Sequence, residues 1–263
     1  MRLLDKVIIV TGSTTGIGKA IAIRCAAEGA KVLLHGLEQD WGNEVLAAIA
    51  PEKAALHIED ISKEDAPQRL VDKALQTFGK LDAVVNNAAW VVSSNITTTD
   101  IPFLQKVLNI NTVAPYQLIK CALPHLSRTK GAVLNIGSVN AYSGEPDLLA
   151  YSISKGALMT MTRNLGDTLH REYGVRVNQI NPGWVLTETE IQRKKEHGLA
   201  DNWYEALPRV YAPAGRILRP AEIAAAAVYW LADESGPISG QVVDLEQHPF
   251  IGRNPPKDNT TIK

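Results

Sequence analysis

The sequence predicts an α/β protein: one parallel, doubly wound sheet with helices on both faces. Three observations carry this. Short Val/Ile-rich runs without polar alternation recur along the chain, which marks strands covered on both sides. Stretches of helical period separate them, so successive strands are joined by right-handed crossovers. The 263 residues are 45% hydrophobic, enough for one large core.

In chain order, "KVIIVTG" at residues 6–12 reads as a buried strand, and "IGKAIAIRCAAEGA" at 17–30 as a helix closed by Gly29. "KVLLHG" at 31–36 is a second strand, and "LDAVVNNA", "GAVLNIGS", "VRVNQINPG" and "GQVVDL" supply four more. "FLQKVLNINTVAPYQLIKCAL" at 103–123 has a helical pattern. From Tyr151 onward, Leu158, Met161, Leu165 and Leu169 recur at intervals of three and four, one buried helix face, with Gly174 as the stop. No linker, repeat or low-complexity block interrupts this pattern, so a single domain is expected over residues 1–248. The segment 249–263, with Pro249, Pro255 and Pro256, reads as an irregular tail.

Composition narrows the function. A net charge of −1 gives no bulk attraction to nucleic acid or membrane. The apolar run near the N-terminus is too short for a signal-peptide core, and "IAAAAVYWLA" at 223–232 is too short to cross a bilayer. Cys25 and Cys121 lie far apart inside apolar segments and read as buried free thiols. A soluble cytoplasmic protein is therefore expected. Histidines 35, 57, 125, 170, 197 and 248 show no ligand spacing and no C-x-x-C occurs, so no metal is expected.

The chemistry begins at "TGSTTGIG", Thr11 to Gly18. Glycines at 12, 16 and 18 stand where a strand turns into a helix, and they allow tight backbone angles and close approach of a ligand. The helix start offers unpaired N–H groups and a positive dipole end to a pyrophosphate. Strand, loop, helix and second strand follow in the order of a dinucleotide site.

Tyr151 and Lys155 are one helical turn apart, and a cation beside a phenol favours the phenolate. On spacing alone a surface Tyr–Lys pair, which is common at helical spacing, is the favoured reading. Ser138 adds weight, because it follows the strand "AVLNIG" at the carboxyl edge of the sheet, where ligands of such folds bind. Asn111 adds a separate argument. Pro115, four residues on, has no N–H to give to the Asn111 carbonyl, which must find another donor or remain a solvated kink.

The spacing T-G-x-x-x-G-x-G, with the residues that follow, resembles the short-chain dehydrogenase/reductase family over residues 3–245. Asp60-Ile61 resembles the adenine-contacting pair after the third strand. "NNAA" at 86–89 resembles the family's N-N-A-G segment, with Ala89 in place of glycine. "NPGW" with Thr187 resembles the segment that meets the nicotinamide. The resemblance implies a seven-stranded Rossmann sheet and a hydride transfer between NAD(P) and a secondary alcohol or ketone. It implies the catalytic set Asn111, Ser138, Tyr151 and Lys155. In that set Tyr151 is acid/base, Ser138 orients the substrate oxygen, Lys155 lowers the tyrosine pKa and holds the ribose, and Asn111 holds a relay water through its main-chain carbonyl. Cofactor contacts are expected from Gly12, Ser13, Thr15, Gly16, Ile17, Gly18, Gly36, Leu37, Asp60, Ile61, Asn87, Ala88, Tyr151, Lys155, Pro182, Gly183, Val185 and Thr187. Substrate contacts are expected from Trp90, Ser138, Asn140, Tyr151 and Trp184.

Family members often carry Asp where this chain has Gly36, or Arg where it has Leu37. With neither present, nearby Glu38 favours NAD over NADP. Trp184 and the variable lid that follows it, about 185–215, offer a pocket lining of Trp184, Glu190, Arg193, His197, Asn202, Trp203 and Tyr204, a mixture suited to a sugar or polyol. The run "RKK" at 193–195 suits a 3-oxoacyl-[acyl-carrier-protein] reductase as the alternative. A non-catalytic dinucleotide sensor is the third reading. The chain departs from the family's V-D-G-G ending at Leu245, Glu246, Gln247 and His248. Relatives commonly form tetramers, so a homotetramer is expected, with the tail against a neighbouring subunit or the active site, where His248 and Arg253 meet substrate.

Overall fold

The structure, a computed structural model, describes residues 1–251. Seven strands form one sheet in the order β3-β2-β1-β4-β5-β6-β7. They are β1 (Val7–Val10), β2 (Lys31–Gly36), β3 (Ala54–Ile58), β4 (Ala83–Asn86), β5 (Ala132–Ile136), β6 (Arg176–Pro182) and β7 (Val242–Leu245). Every neighbouring pair is parallel.

The unbroken Val/Ile runs are explained by where alternate side chains go. In β1, Ile8 and Val10 join one core with Ile21, Cys25 and Val228, from helices α1 (Gly16–Ala27) and α8 (Pro220–Leu231). Val7 and Ile9 join the other, with Leu70, Leu118 and Leu169 from α3 (Ala66–Phe78), α5 (Ala114–Thr129) and α6 (Leu149–Tyr173). Both faces of the strand are covered, so neither can be polar. Strand β3 differs: all five of its residues are half-buried at the sheet edge. That is why it carries no apolar run that reads as a strand by itself.

The remaining helices are α2 (Gln39–Ala47), α4 (Ile101–Leu108) and α7 (Glu188–Glu196). Helix α6 ends where expected, with Gly174 in the left-handed region at φ 70°. The pattern at 103–123 is not one helix. Between α4 and α5, residues Asn109–Val113 form a wide π turn just before Pro115. A proline that removes the ordinary i+4 donor is relieved by such a turn.

Sheet order reverses between β1 and β4, and the crevice at such a switch point lies outside the carboxyl ends of the strands. Cys25 and Cys121 are both free, but only Cys25 is buried as expected; Cys121 is half-buried. Among the described residues no helix is long and apolar enough to cross a membrane.

Candidate active site

The crevice opens into a cavity of about 1050 Å³ running from the loop after β1 to α7. Its narrow end is set by backbone. The Asn87 amide donates to the carbonyls of Thr11 and Gly12, both at 2.9 Å. The Thr11 hydroxyl oxygen accepts the N–H groups of Asn87 and Ala88 at 2.9 and 3.0 Å. Gly12 has φ 60°, and a Cβ there would lie 2.8 Å from the Ala88 Cα. The Gly12 N–H donates to His35 Nδ1 at 3.3 Å. Burial pushes the His35 pKa down to about 4, so the ring stays neutral and this nitrogen remains an acceptor.

At the start of α1, the N–H of Gly16 donates to the Glu188 carboxylate at 3.2 Å. An anion of the chain itself thus sits where the helix dipole and free N–H groups favour negative charge. The donors present fit a dinucleotide pyrophosphate.

Beyond β2, a Cβ on Gly36 would meet the Thr14 Cβ at 3.0 Å. The Thr14 side chain already fills the place an aspartate would take, which accounts for glycine at this position. Leu37 is 62% exposed. Glu38 precedes α2, and its side chain makes no cap bond. Asp60 ties one oxygen to the N–H and hydroxyl of Ser62, at 2.9 and 2.7 Å.

The catalytic candidates come from three elements. Ser138 follows β5, Tyr151 and Lys155 lie on the first turns of α6, and all three are buried. Burial raises the Tyr151 pKa to about 12, and a hydrogen bond with Ser138 opposes it. Lys155 donates to the Ile136 carbonyl at 2.7 Å, and burial lowers its pKa to about 8. Lys155 does not depress the Tyr151 pKa as the resemblance implies, because burial of the phenol outweighs the groups that lower it. The Lys155 ammonium lies 5.6 Å from the centroid of the Tyr151 ring and turns to a carbonyl rather than to the phenolic oxygen. The groups that do lower it are Ser138 and, by charge, Arg193.

Asn111 is buried and does not line the cavity. Its side chain is a clamp. Oδ1 accepts the Trp90 N–H at 2.8 Å, and Nδ2 donates to the Trp90 carbonyl at 3.1 Å and to Ser154 Oγ at 3.0 Å. Ser154 donates in turn to the Tyr151 carbonyl at 2.6 Å. The π turn is therefore fastened to the turn of α6 that carries Tyr151 and to the loop after β4.

The wide end of the cavity is set by side chains. Thr187 caps α7, accepting the Glu190 N–H at 3.1 Å. Glu190 receives Arg193 through Nε and Nη2 at 2.9 and 3.0 Å, and the Trp184 indole N–H at 2.8 Å. Lys194 lies over the Trp184 ring, and Lys195 pairs with Asp201 at 2.8 Å. The basic run 193–195 is thus engaged within the chain instead of forming an outward basic face.

After β7, Glu246 accepts the N–H groups of Trp184 and Gln247 at 3.0 and 2.7 Å. Gln247 bonds the lid loop at the Arg216 carbonyl and the Ala214 N–H, at 2.7 and 2.9 Å. Phe250 stacks on Tyr142 at 6.2 Å, and it lines the cavity with His248. The segment that replaces the V-D-G-G ending therefore packs on its own lid. Arg253 lies outside the described residues.

Of the residues singled out from sequence, Trp90, Ser138, Asn140, Tyr151 and Trp184 all line this cavity, as do Gly12, Thr15, Gly16, Ile17, Gly36, Leu37, Asp60, Ile61, Asn87, Ala88, Lys155, Pro182, Gly183, Val185 and Thr187. Ser13 and Gly18 do not. Ser13 is buried, exchanging bonds with the His35 backbone at 2.7 and 2.9 Å. Gly18 packs against the Gly12 carbonyl and the Asn87 amide. His197, Asn202, Trp203 and Tyr204 are also absent from the lining. Trp203 instead backs Trp184, stacked at 5.1 Å. Sequence reasoning missed Thr14, Glu145 and Tyr211, which line the cavity from loops without a spacing signal.

Fold and cavity together define a dinucleotide-binding oxidoreductase. A family model described as enoyl-(acyl carrier protein) reductase matches residues 12–246. Glucose 1-dehydrogenase 2 of Bacillus subtilis is 34% identical, over 93% of this chain and 94% of its own. L-fucose dehydrogenase of Mus musculus is 35% identical, over 89% of this chain and 85% of its own. A crystal structure from Caenorhabditis elegans, described as a short-chain dehydrogenase/reductase of unknown function with cofactor, superimposes with a TM-score of 0.82 at 31% identity. That match covers 93% of this chain and 95% of the other. The chain belongs to the short-chain dehydrogenase/reductase family, oxidoreductases that act on CH–OH groups with NAD or NADP.

Proposed function

We propose that this enzyme oxidises a secondary hydroxyl of a sugar or polyol, with NAD preferred over NADP. The carrying observation is that Ser138, Tyr151 and Lys155 line one cavity whose wide end bears charged, polar and aromatic side chains. Bound NAD(P) supplies the hydride chemistry. Tyr151 takes the hydroxyl proton in oxidation and returns it in reduction, while Ser138 fixes the reacting oxygen. Lys155 holds the nicotinamide ribose and passes the proton onward, and the Asn111 carbonyl holds the water that extends this path. Gly12 and Gly16 hold the pyrophosphate side, and Thr187 meets the nicotinamide end. The catalytic unit spans residues 1–248, with the lid at about 185–215.

NAD is favoured by what borders Gly36. Thr14 and Leu37 offer no cation to a 2′-phosphate, and the Glu38 carboxylate repels one. Sugar or polyol substrates are supported by the names of two relatives and by the charged lining. The carrier-protein alternative is weakened, because each cation of 193–195 has a partner within the chain, and it stays the second reading because the matched family model is described as enoyl-(acyl carrier protein) reductase.

The test is a panel of sugars, polyols, simple alcohols and 3-oxoacyl thioesters, followed by absorbance of the reduced nicotinamide with each cofactor. Turnover of sugars or polyols with NAD is expected. Exclusive turnover of acyl thioesters would reject the substrate class, and a higher kcat/KM with NADP would reject the cofactor preference.

A further inference from the structure

We propose that Glu145 and Arg193 form a two-sided grip on a second hydroxyl next to the reacting one, so that the site selects vicinal diols over lone secondary alcohols. The inference rests on the reading of Tyr151 given above and adds the substrate feature that this site recognises.

Arg193 is fixed along one edge only. Its Nε and Nη2 are taken by Glu190, while Nη1 has no hydrogen-bond partner among the described residues. Glu190 is itself held by the Trp184 indole, and the Trp184 N–H is held by Glu246. The guanidinium is thus braced and lines the same cavity as Tyr151. Glu145 lines that cavity from the loop before α6. One of its oxygens accepts a long bond from Asn140 at 3.4 Å, and the other has no partner among the described residues. Asn140, which bonds Glu145, also gives its N–H to the Ser138 oxygen at 3.2 Å, so one residue joins Glu145 to the serine that fixes the reacting oxygen; the charges of Glu145 and Arg193 both reach Tyr151.

Once Tyr151 and Ser138 have taken the reacting oxygen, a lone alcohol leaves both charges without a substrate partner. A neighbouring hydroxyl donates to the Glu145 carboxylate and accepts from Arg193 Nη1, satisfying both. A 2-hydroxy acid suits Arg193 but meets repulsion from Glu145. A long acyl chain covers two charges and pairs neither, which is costly.

The experiment compares kcat/KM for cis-1,2-cyclohexanediol, cyclohexanol and a 2-hydroxy acid in wild type, Glu145→Gln, Arg193→Met and Arg193→Lys. A charged hydrogen bond predicts a diol-to-cyclohexanol ratio that falls about 10–100-fold in Glu145→Gln and Arg193→Met, with part recovered in Arg193→Lys. A second arm follows quenching of the Trp184–Trp203 pair by each alcohol in Tyr151→Phe, where turnover is blocked. Diol binding should be tighter than cyclohexanol binding and should weaken when either charge is removed. Equal ratios across the variants, equal binding of the two alcohols, or preference for the hydroxy acid would overturn the grip while leaving the role of Tyr151 intact. Unchanged turnover in Tyr151→Phe would instead overturn the reading beneath it. If neither alcohol is turned over, the quenching arm alone decides.

Discussion

At the glycine loop the cavity is shaped by main chain: Gly12 at positive φ against the Ala88 backbone, and Asn87 bonded to two carbonyls. At the lid it is shaped by side chains: one carboxylate, Glu190, holds Arg193 and the Trp184 indole on a surface helix. The first arrangement has no slack, because a backbone contact cannot be repacked by changing a rotamer. The second is a network of replaceable parts. The end proposed to bind the dinucleotide is therefore rigid and intolerant, while the end proposed to meet substrate is held by groups that exchange without disturbing the fold.

The sharpest way to break this contrast is at the rigid end. Gly12→Val places a branched side chain against Ala88 at a φ that L residues avoid. Dinucleotide affinity, read by fluorescence titration, should fall more than about 100-fold, since the loop must move to relieve the contact. Near-normal affinity would mean that the loop is as adaptable as the lid. At the edge of the same end, Leu37→Arg supplies the missing cation. The ratio of kcat/KM for NADP over NAD should rise roughly tenfold. An unchanged ratio would show that something other than residues 36–38 sets the preference.

A smaller effect concerns Lys155, whose pKa burial lowers from 10.5 to about 8. Between those values the unfolded chain binds a proton that the folded chain has released, so folding stability rises with pH across this window. Below about 8 the full cost of the buried charge applies. Wild type should therefore gain stability relative to Lys155→Met as pH rises from 8 to 10.5, read as the difference in urea midpoints. Parallel profiles would mean that the ammonium is not desolvated in the folded state.

The same contrast explains what the sequence discloses. Glycine spacing after β1 locates the phosphate loop, whereas Ser138, Tyr151 and Lys155 are legible only through the family resemblance, since a serine after a strand and a Tyr–Lys pair one turn apart are common by themselves. The stop at Gly174 and the disturbance before Pro115 are legible because glycine and proline act through local backbone. The π turn itself is not legible, since the missing donor does not say how the chain relieves it. Edge strand β3 escapes because half-buried residues need no apolar run. Trp203 is misread as lining because aromatic character does not tell which side of Trp184 it takes. Thr14 at Gly36 and Glu246 at Trp184 are contacts across the sheet edge, and only the folded chain brings them together. The direction of the Tyr151 pKa is misjudged for a related reason: spacing brings Lys155 near, but burial and the Ile136 carbonyl decide where its charge acts.

The most direct measurement is turnover of the best alcohol by Tyr151→Phe, with the dissociation constant of the reduced cofactor taken on the same preparation. Loss of the phenolic proton carrier should lower kcat by about 10²–10⁴-fold while cofactor affinity stays within about twofold of wild type. Wild-type turnover in that variant would contradict the account, whatever the cofactor affinity.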